Sequence, residues 1–216
     1  MNIETIEVCG FPGVLKALRK PFKKEMRSTY NIDVFYGENT GLQDIITKSS
    51  TIRIHPEDIK LMSKLVKAGD EHSKALRGLI VYADFELPRY IWSEFDTYRI
   101  GKECLSSEST MHTILNEDIT ENNFDGIDDN ISDMIIDQFI DAVDTIKQSQ
   151  LPNKIKKLSI KSILPESYLQ TRTLMLSYQA LRRIYFQRRH HELPIWKSVC
   201  NWIKELPYSK ELITIE

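Results

Sequence analysis

The chain has 216 residues, 41% of them hydrophobic and 28% charged, which predicts a globular protein with one good core. A net charge of −2 excludes a strong overall field for nucleic acid or an anionic membrane, and no apolar run approaches the roughly 20 residues of a membrane-spanning helix. Three cysteines, Cys9, Cys104 and Cys200, show no CxxC and no Cys/His ligand spacing, so neither a disulfide framework nor a zinc site is expected. Residues 1–7 carry neither a basic nor an apolar leader segment. Both points predict a reducing, cytoplasmic setting.

In chain order, Ile3 to Cys9 alternates apolar and polar residues and predicts a strand. Gly10 to Gly13 reads as a turn, and Val14 to Lys24 as a short basic helix or loop interrupted by Pro21. Ser50 to His55 is expected to be extended. Pro56 then opens a helix, with Glu57 and Asp58 near its positive end and Ile59, Leu61, Met62 and Leu65 as its apolar positions, ending near Gly69. The run Leu79 to Glu86 predicts a mostly apolar, central strand stopped by Pro88, followed by an aromatic-rich helix over Tyr90 to Arg99.

The charge pattern then shifts. No lysine or arginine lies between Lys102 and Lys147, whereas acids are frequent there. Ile131, Met134, Ile135, Phe139, Ala142, Val143 and Ile146 keep helical spacing, and Asp133, Asp137 and Asp141 form an acidic outer face. The basic section Lys154 to Arg189 follows. The two segments are complementary in charge, within a subunit or between subunits. With no repeat, low-complexity tract or linker, residues 1–216 read as one domain.

Several motifs fail on their chemistry. Glu121, Asn123 and Asp125 before Gly126 mimic the start of a calcium loop, but its twelfth position is Ser132 where a bidentate glutamate is needed. His190 and His191 are adjacent, so they point apart on a helix and do not form a zinc pair. His112 is a candidate acid/base, although a lone histidine is more often structural. Tyr178, Arg182, Tyr185 and Arg188 mix aromatics and cations as single-stranded nucleic-acid sites do, yet the aromatics sit at core spacing.

The most informative stretches are Leu164 to Thr173 and Ser177 to His191, which read as a turn launching one long basic helix. Ser177 and Arg188, eleven residues apart, fall within about 20° of each other on a helix. A row of Ser177, Ile184 and Arg188, flanked by Arg182, suits a buried anion; a solvated basic face is the plainer account.

The ordered set Pro88 to Arg99 (with Trp92, Glu94 and Tyr98), Ser106 to His112, Leu164-Pro165 and Ser177 to Trp196 resembles the flavin-dependent thymidylate synthases, closest to a divergent phage- and Firmicute-type branch. The resemblance covers roughly residues 56 to 206. In that family a Leu-Pro turn is followed twelve residues on by an asparagine and eleven further by a substrate-binding arginine; here these positions are Ser177 and Arg188. Lys161 stands four before the proline, where the family has a phosphate-holding arginine, and keeps its charge without the bidentate fork. His72 corresponds to the family histidine before the central strand. The family's Arg-His-Arg triplet becomes Thr97-Tyr98-Arg99, and its serine-containing motif becomes Ser106 to Met111, with Ser109 and Arg99 keeping their chemistry.

The resemblance implies an α+β fold of the thymidylate synthase-complementing-protein type: a twisted, mostly antiparallel sheet flanked by helices, assembled as a homotetramer with sites between subunits. It implies catalytic roles for Ser109, Arg188 and His72. Lys161, Arg188, Ser109 and Glu94 would bind substrate, and Arg99, Tyr98, Ser177 and His191 would bind cofactor. The expected reaction joins methylene from methylenetetrahydrofolate to C5 of dUMP, with FAD and NADPH supplying the reduction. Two alternatives stay open: folate-dependent hydroxymethylation of dUMP or dCMP without flavin, and a non-catalytic nucleotide-binding homologue. The expected location is the cytoplasm of a bacterium or phage-infected host, without membrane or nucleic-acid partners.

Overall fold

A computed structural model describes residues 2–25, 27–31, 34–36, 45–47, 51–126 and 130–216. The strands are β1 (Asn2–Cys9), β2 (Thr29–Asn31), β3 (Val34–Tyr36), β4 (Ile45–Thr47), β5 (Thr51–Arg53), β6 (Ile80–Pro88), β7 (Lys102–Ser107) and β8 (Leu169–Ser177). The helices are α1 (Phe11–Arg19), α2 (Pro56–Lys67), α3 (Arg89–Phe95), α4 (Thr110–Thr113), α5 (Asn130–Gln148), α6 (Asn153–Ile163), α7 (Tyr178–Arg188), α8 (Pro194–Glu205) and α9 (Ser209–Leu212). The architecture is α+β, with a four-stranded antiparallel sheet in the order β1-β6-β8-β7 flanked by helices. Two small antiparallel ladders, β2 with β5 and β3 with β4, lie outside it.

β6 is interior in the sheet, as its apolar run predicts. Its burial nonetheless alternates: Val81, Ala83, Phe85 and Leu87 are fully buried, whereas Tyr82, Asp84 and Glu86 are half-buried. The period of two in the pleat turns one face to the core and leaves a polar face on the other side.

The chain forms two compact units. The first comprises Tyr82–Met175 with the start of β1. Its core gathers Ile114, Phe124, Ile136, Phe139, Val143, Ile160 and Tyr168. Phe124 meets Phe139 and Tyr168 edge-on, both at 5.7 Å between ring centroids, an arrangement worth about 0.5–1.5 kcal/mol per pair beyond burial. Helix α5 packs on α6 and buries Ile136, Phe139 and Val143 with Ile140 and Ile146 against them, whereas Ile131, Met134 and Ile135 of the expected apolar face are exposed, because the helix's first turns lie beyond the core that its later turns cover. Lys156 of α6 donates through Nζ to the Lys147 carbonyl in the last turn of α5 (2.5 Å), where a cation complements the negative helix end. The calcium-loop reading includes residues 127–129, which lie outside the described residues, as does Ser50 of the expected extended run. Among the described residues no group of three or more ligating side chains could hold a metal ion.

The second unit comprises Glu7–Val81 and Leu176–Glu216. The expected turn at Gly10–Gly13 is instead the start of α1. Pro12 lies in the first helical turn, where a missing N–H costs nothing. Gly10 sits at φ 98°, and a Cβ there would lie 1.9 Å from the Gly78 carbonyl oxygen, so only glycine fits. Helix α2 begins at Pro56, with the His55 imidazole accepting from the Glu57 N–H. No helix among the described residues is long and apolar enough to cross a membrane.

Asp58, second acid of the predicted α2 start, is not merely a helix-dipole partner. It is 2% exposed and receives the Arg19 guanidinium (Nε at 2.8 Å, with Nη2 also in contact), the Ser28 hydroxyl (2.5 Å), and the backbone N–H groups of Ser28 (2.8 Å) and Arg27 (3.1 Å). The Ser28 hydroxyl in turn accepts from the His55 N–H. Burial pushes the Asp58 carboxyl up, but these hydrogen bonds and the Arg19 charge outweigh it and hold it below its ordinary value. Its stabilisation is therefore present above the unfolded carboxyl range and disappears as pH falls through the lower folded value. Asp58→Asn leaves Arg19 buried without its counter-charge and is expected to lower stability by about 3–5 kcal/mol in urea unfolding at neutral pH, with the difference from the parent shrinking below about pH 4.

Candidate functional site

The expected turn over 164–173 runs instead into strand β8, the expected long basic helix is the shorter α7, and Ser177 stands at their junction. Ser177 is the N-cap of α7: its buried hydroxyl accepts from the Ala180 N–H at 3.2 Å. Arg188 is the last residue of the same helix, about 16 Å along its axis. The buried anion row suggested by their angular match does not form. Ile184 is wholly buried in the core, and Arg182 donates through Nη1 to the carbonyls of Ile213 (2.7 Å) and Ile215 (2.5 Å) while stacking on Phe186. The partners of Arg182 come from the far C-terminus, which no local pattern encodes.

The structure does bring Arg188 and His191 together. The Arg188 guanidinium lies 4.4 Å from the ring centroid of Trp196, and the His191 ring meets the same indole edge-on at 6.2 Å. The turn between them is closed by the His191 N–H donating to the Arg188 carbonyl (2.9 Å) and the Leu193 N–H donating to His191 Nδ1 (3.3 Å). Trp196 is fully buried at the start of α8. A rigid indole thus fixes the plane of a permanent cation.

His72 lies in the turn after α2, its N–H donating to the Gly69 carbonyl (3.0 Å). It is exposed on the rim of a largely apolar cleft of about 550 Å³ whose walls include Val14, Ala17, Leu18, Phe22 and Leu65. Such walls suit a flat, uncharged ring better than a phosphate.

In the first unit α3 ends at Phe95, four residues before the expected Arg99. Asp96, at its C-cap, is claimed by Lys102 (2.8 Å) and Arg172 (3.0 Å). Burial raises the Asp96 carboxyl, but the two cations outweigh that and lower it. Arg172 also lies 4.4 Å from the centroid of Trp92. This network, rather than helix continuation, sets Tyr98 and Arg99 in the connection to β7. Tyr98 packs on Phe95, Glu94 lies half-buried on α3, and Arg99 is exposed, meeting no carboxylate among the described residues. Lys161 is exposed in the last turn of α6.

Ser109 is half-buried at the N-cap of α4; its carbonyl accepts from the N–H groups of His112 (2.9 Å) and Thr113 (3.2 Å), and its hydroxyl makes no cap bond. The residues just before it line a cleft of about 330 Å³ with Asp84 of β6 and Thr171 and Thr173 of β8. Thr173 donates its hydroxyl to Asp84 (2.5 Å), and Glu108 is fixed by accepting from the Thr171 N–H (3.1 Å). Hydroxyls and carboxylates without a cation can accept N–H and O–H donors but offer no charge to an anion. Sequence reasoning did not single out Asp84, Thr171 or Thr173. Their signal was an acid inside an apolar strand and threonines two apart in a second one.

Neither Cys9 nor Cys200 is poised as a nucleophile. Burial raises the Cys9 and Cys200 thiols, with Glu7 adding to the effect at Cys9.

No protein-family profile matches this sequence, and no curated protein matches it. Solved structures do match in fold. The chain is similar, with a TM-score of 0.68, 16% identity and coverage of 99% of this chain and 98% of the other, to flavin-dependent thymidylate synthase ThyX from Helicobacter pylori complexed with FAD and dUMP. It is also similar, at TM-score 0.59, 13% identity and 99% and 94% coverage, to the UMP/dUMP methylase PolB from Streptomyces cacaoi bound with 5-Br dUMP. At these identities the likeness shows the fold: this chain has the flavin-dependent thymidylate synthase fold over its whole length, in a divergent form.

Because Arg182 anchors the C-terminal carbonyls, Arg182→Ala is expected to lower the unfolding free energy by about 1.5–3 kcal/mol, as for lost charged hydrogen bonds. Arg182→Lys should recover part of this. Both are read from denaturant midpoints.

Proposed function

We propose that this protein modifies C5 of a pyrimidine deoxynucleotide, transferring a one-carbon unit from methylenetetrahydrofolate to dUMP to give dTMP. The observation that carries the reading is the full-length fold likeness to two enzymes, one bound to dUMP and the other to its 5-bromo analogue. Within it, Arg188, stacked on Trp196, is assigned the nucleotide phosphate, with Lys161 as a second cation. The Ser109 hydroxyl and the neighbouring Asp84 and Glu108 cleft supply acceptors and donors of the kind a uracil ring and deoxyribose hydroxyl require. Glu94 is assigned to substrate as well. The raised thiols of Cys9 and Cys200 fit chemistry that needs no cysteine nucleophile.

The His72 cleft fits a flavin or pterin ring, being apolar-walled with an imidazole at its rim. When bound, a reduced flavin regenerated by NADPH would supply the hydride that converts transferred methylene to methyl. Arg99, Tyr98 and His191 are the residues assigned to hold FAD, with Ser177 acting through the helix it caps. A second reading, hydroxymethyl transfer to dUMP or dCMP without flavin, is favoured by Thr97-Tyr98-Arg99 standing where the resemblance implies Arg-His-Arg. We also propose a homotetramer. The exposed apolar residues Ile131, Met134 and Ile135 on α5, with Leu151, Ile155 and Leu158 at and on α6, support self-association.

Incubation with dUMP, methylenetetrahydrofolate, FAD and NADPH, followed by mass spectrometry of the nucleotide, is expected to give the methylated product. A hydroxymethylated product from a colourless protein would establish the second reading, and binding without turnover would leave a nucleotide-binding homologue. Arg188→Ala should weaken dUMP binding in calorimetry by about 2–4 kcal/mol, as for loss of a charge-assisted contact; unchanged affinity with the fold intact removes Arg188 from the site. Light scattering is expected to report a tetramer, and a monomer at micromolar concentration would exclude sites shared between chains.

A further inference from the structure

Basic side chains that the proposed nucleotide site does not use, from the end of α7 and from α8, converge on a second cleft of about 400 Å³ within the second unit. Its lining includes Arg189 and His190 after α7, and Lys197, Asn201 and Lys204 on α8, with Tyr185 on the α7 side. No lining residue carries a carboxylate. Cys200 adds no negative charge, because burial raises its thiol against the lowering effect of Lys204.

Three observations show that this cluster is not satisfied by the protein itself. His190 and Lys197 have no hydrogen-bond or ion-pair partner among the described residues. Arg189 spends Nη1 on the exposed Glu216 carboxylate (2.7 Å), while its buried Nε donates to nothing. Lys197 stands in the first turns of α8, at the positive end of the helix dipole, where a cation is unfavourable unless an anion lies nearby. Arg19, Lys102, Arg172 and Arg182, by contrast, each have acceptors within the protein.

We infer that the α7–α8 cleft is a binding site for an oligophosphate, either free or as the tail of a nucleoside triphosphate, separate from the proposed dUMP site. The spacing selects a chain of phosphates over a single one. Lys197, Asn201 and Lys204 recur at i, i+4 and i+7 on one face of α8, so the two lysines start about 10 Å apart along the axis. Lys204 is oriented on that face by donating to Asn201 Oδ1 (3.1 Å). One phosphate meets one end of this row, whereas two or three linked phosphates meet both ends and Arg189. Tyr185 offers a ring beside them for a base.

The test is calorimetry on the full-length protein at physiological salt, titrating tripolyphosphate, inorganic phosphate and a deoxynucleoside triphosphate in turn. Tripolyphosphate is expected to bind with one-to-one stoichiometry and inorganic phosphate far more weakly. The double variant Lys197→Ala/Lys204→Ala should weaken tripolyphosphate at least about tenfold, as for losing charge-assisted contacts, with an unchanged circular dichroism spectrum and unchanged dUMP affinity. Lys197→Arg/Lys204→Arg should restore it. Tighter binding of the deoxynucleoside triphosphate than of tripolyphosphate assigns the ligand to nucleotides, and equal binding to free oligophosphate. Equal tripolyphosphate affinity in parent and double variant overturns the site. So does displacement by dUMP, or a heat without defined stoichiometry that vanishes with added salt.

Discussion

The pleat of β6 is the constraint on which the rest of the structure depends. Four residues at a period of two are fully buried, and their neighbours face the other way. One register therefore decides both where the core lies and where Asp84 can stand. A slip by one residue would bury Asp84 and expose Phe85, which neither face tolerates. The hydroxyl cleft of Asp84, Thr173 and Glu108 is a direct consequence of that register.

Charge within the fold is handled by saturation. Asp58 collects a guanidinium, a hydroxyl and two backbone donors, so removing one partner strands the others. Asp96 joins two cations arriving from β7 and β8 and ends α3 where it does. Arg182 satisfies two carbonyls near the C-terminus. Against so many paired groups, an exposed Arg99 without a carboxylate and an α8 face whose Lys197 has no partner among the described residues stand out as places where external anions are easily accommodated.

The aromatic residues serve two purposes that composition does not separate. Phe124, Phe139 and Tyr168 fill a core through edge-on contacts. Trp92 and Trp196 are also buried, but each presents a face to an arginine, Arg172 and Arg188 respectively. In both cases the indole removes rotational freedom from a guanidinium, so a planar cation is preorganised at little further entropic cost.

The sequence by itself determined the strands β1 and β6, the helices α2 and α5, the α+β class and, through ordered motifs between residues 56 and 206, the fold. The strands and helices are local periodicities that each segment carries alone, whereas the α+β class and the fold are what the resemblance of the ordered motifs implies. It also singled out Arg188, His191 and His72, of which the structure sets the first two against Trp196 and the third on the rim of an apolar cleft. It did not carry the roles that depend on partners distant in sequence. Position 10 must be glycine because the Gly78 carbonyl approaches it, Asp96 at the end of α3 pairs with Lys102 and Arg172, and Arg182 turns to the Ile213 and Ile215 carbonyls. Tertiary structure decided those, since a hydrogen bond or ion pair chooses among partners by proximity in space, and proximity is fixed only once the sheet and its helices have packed.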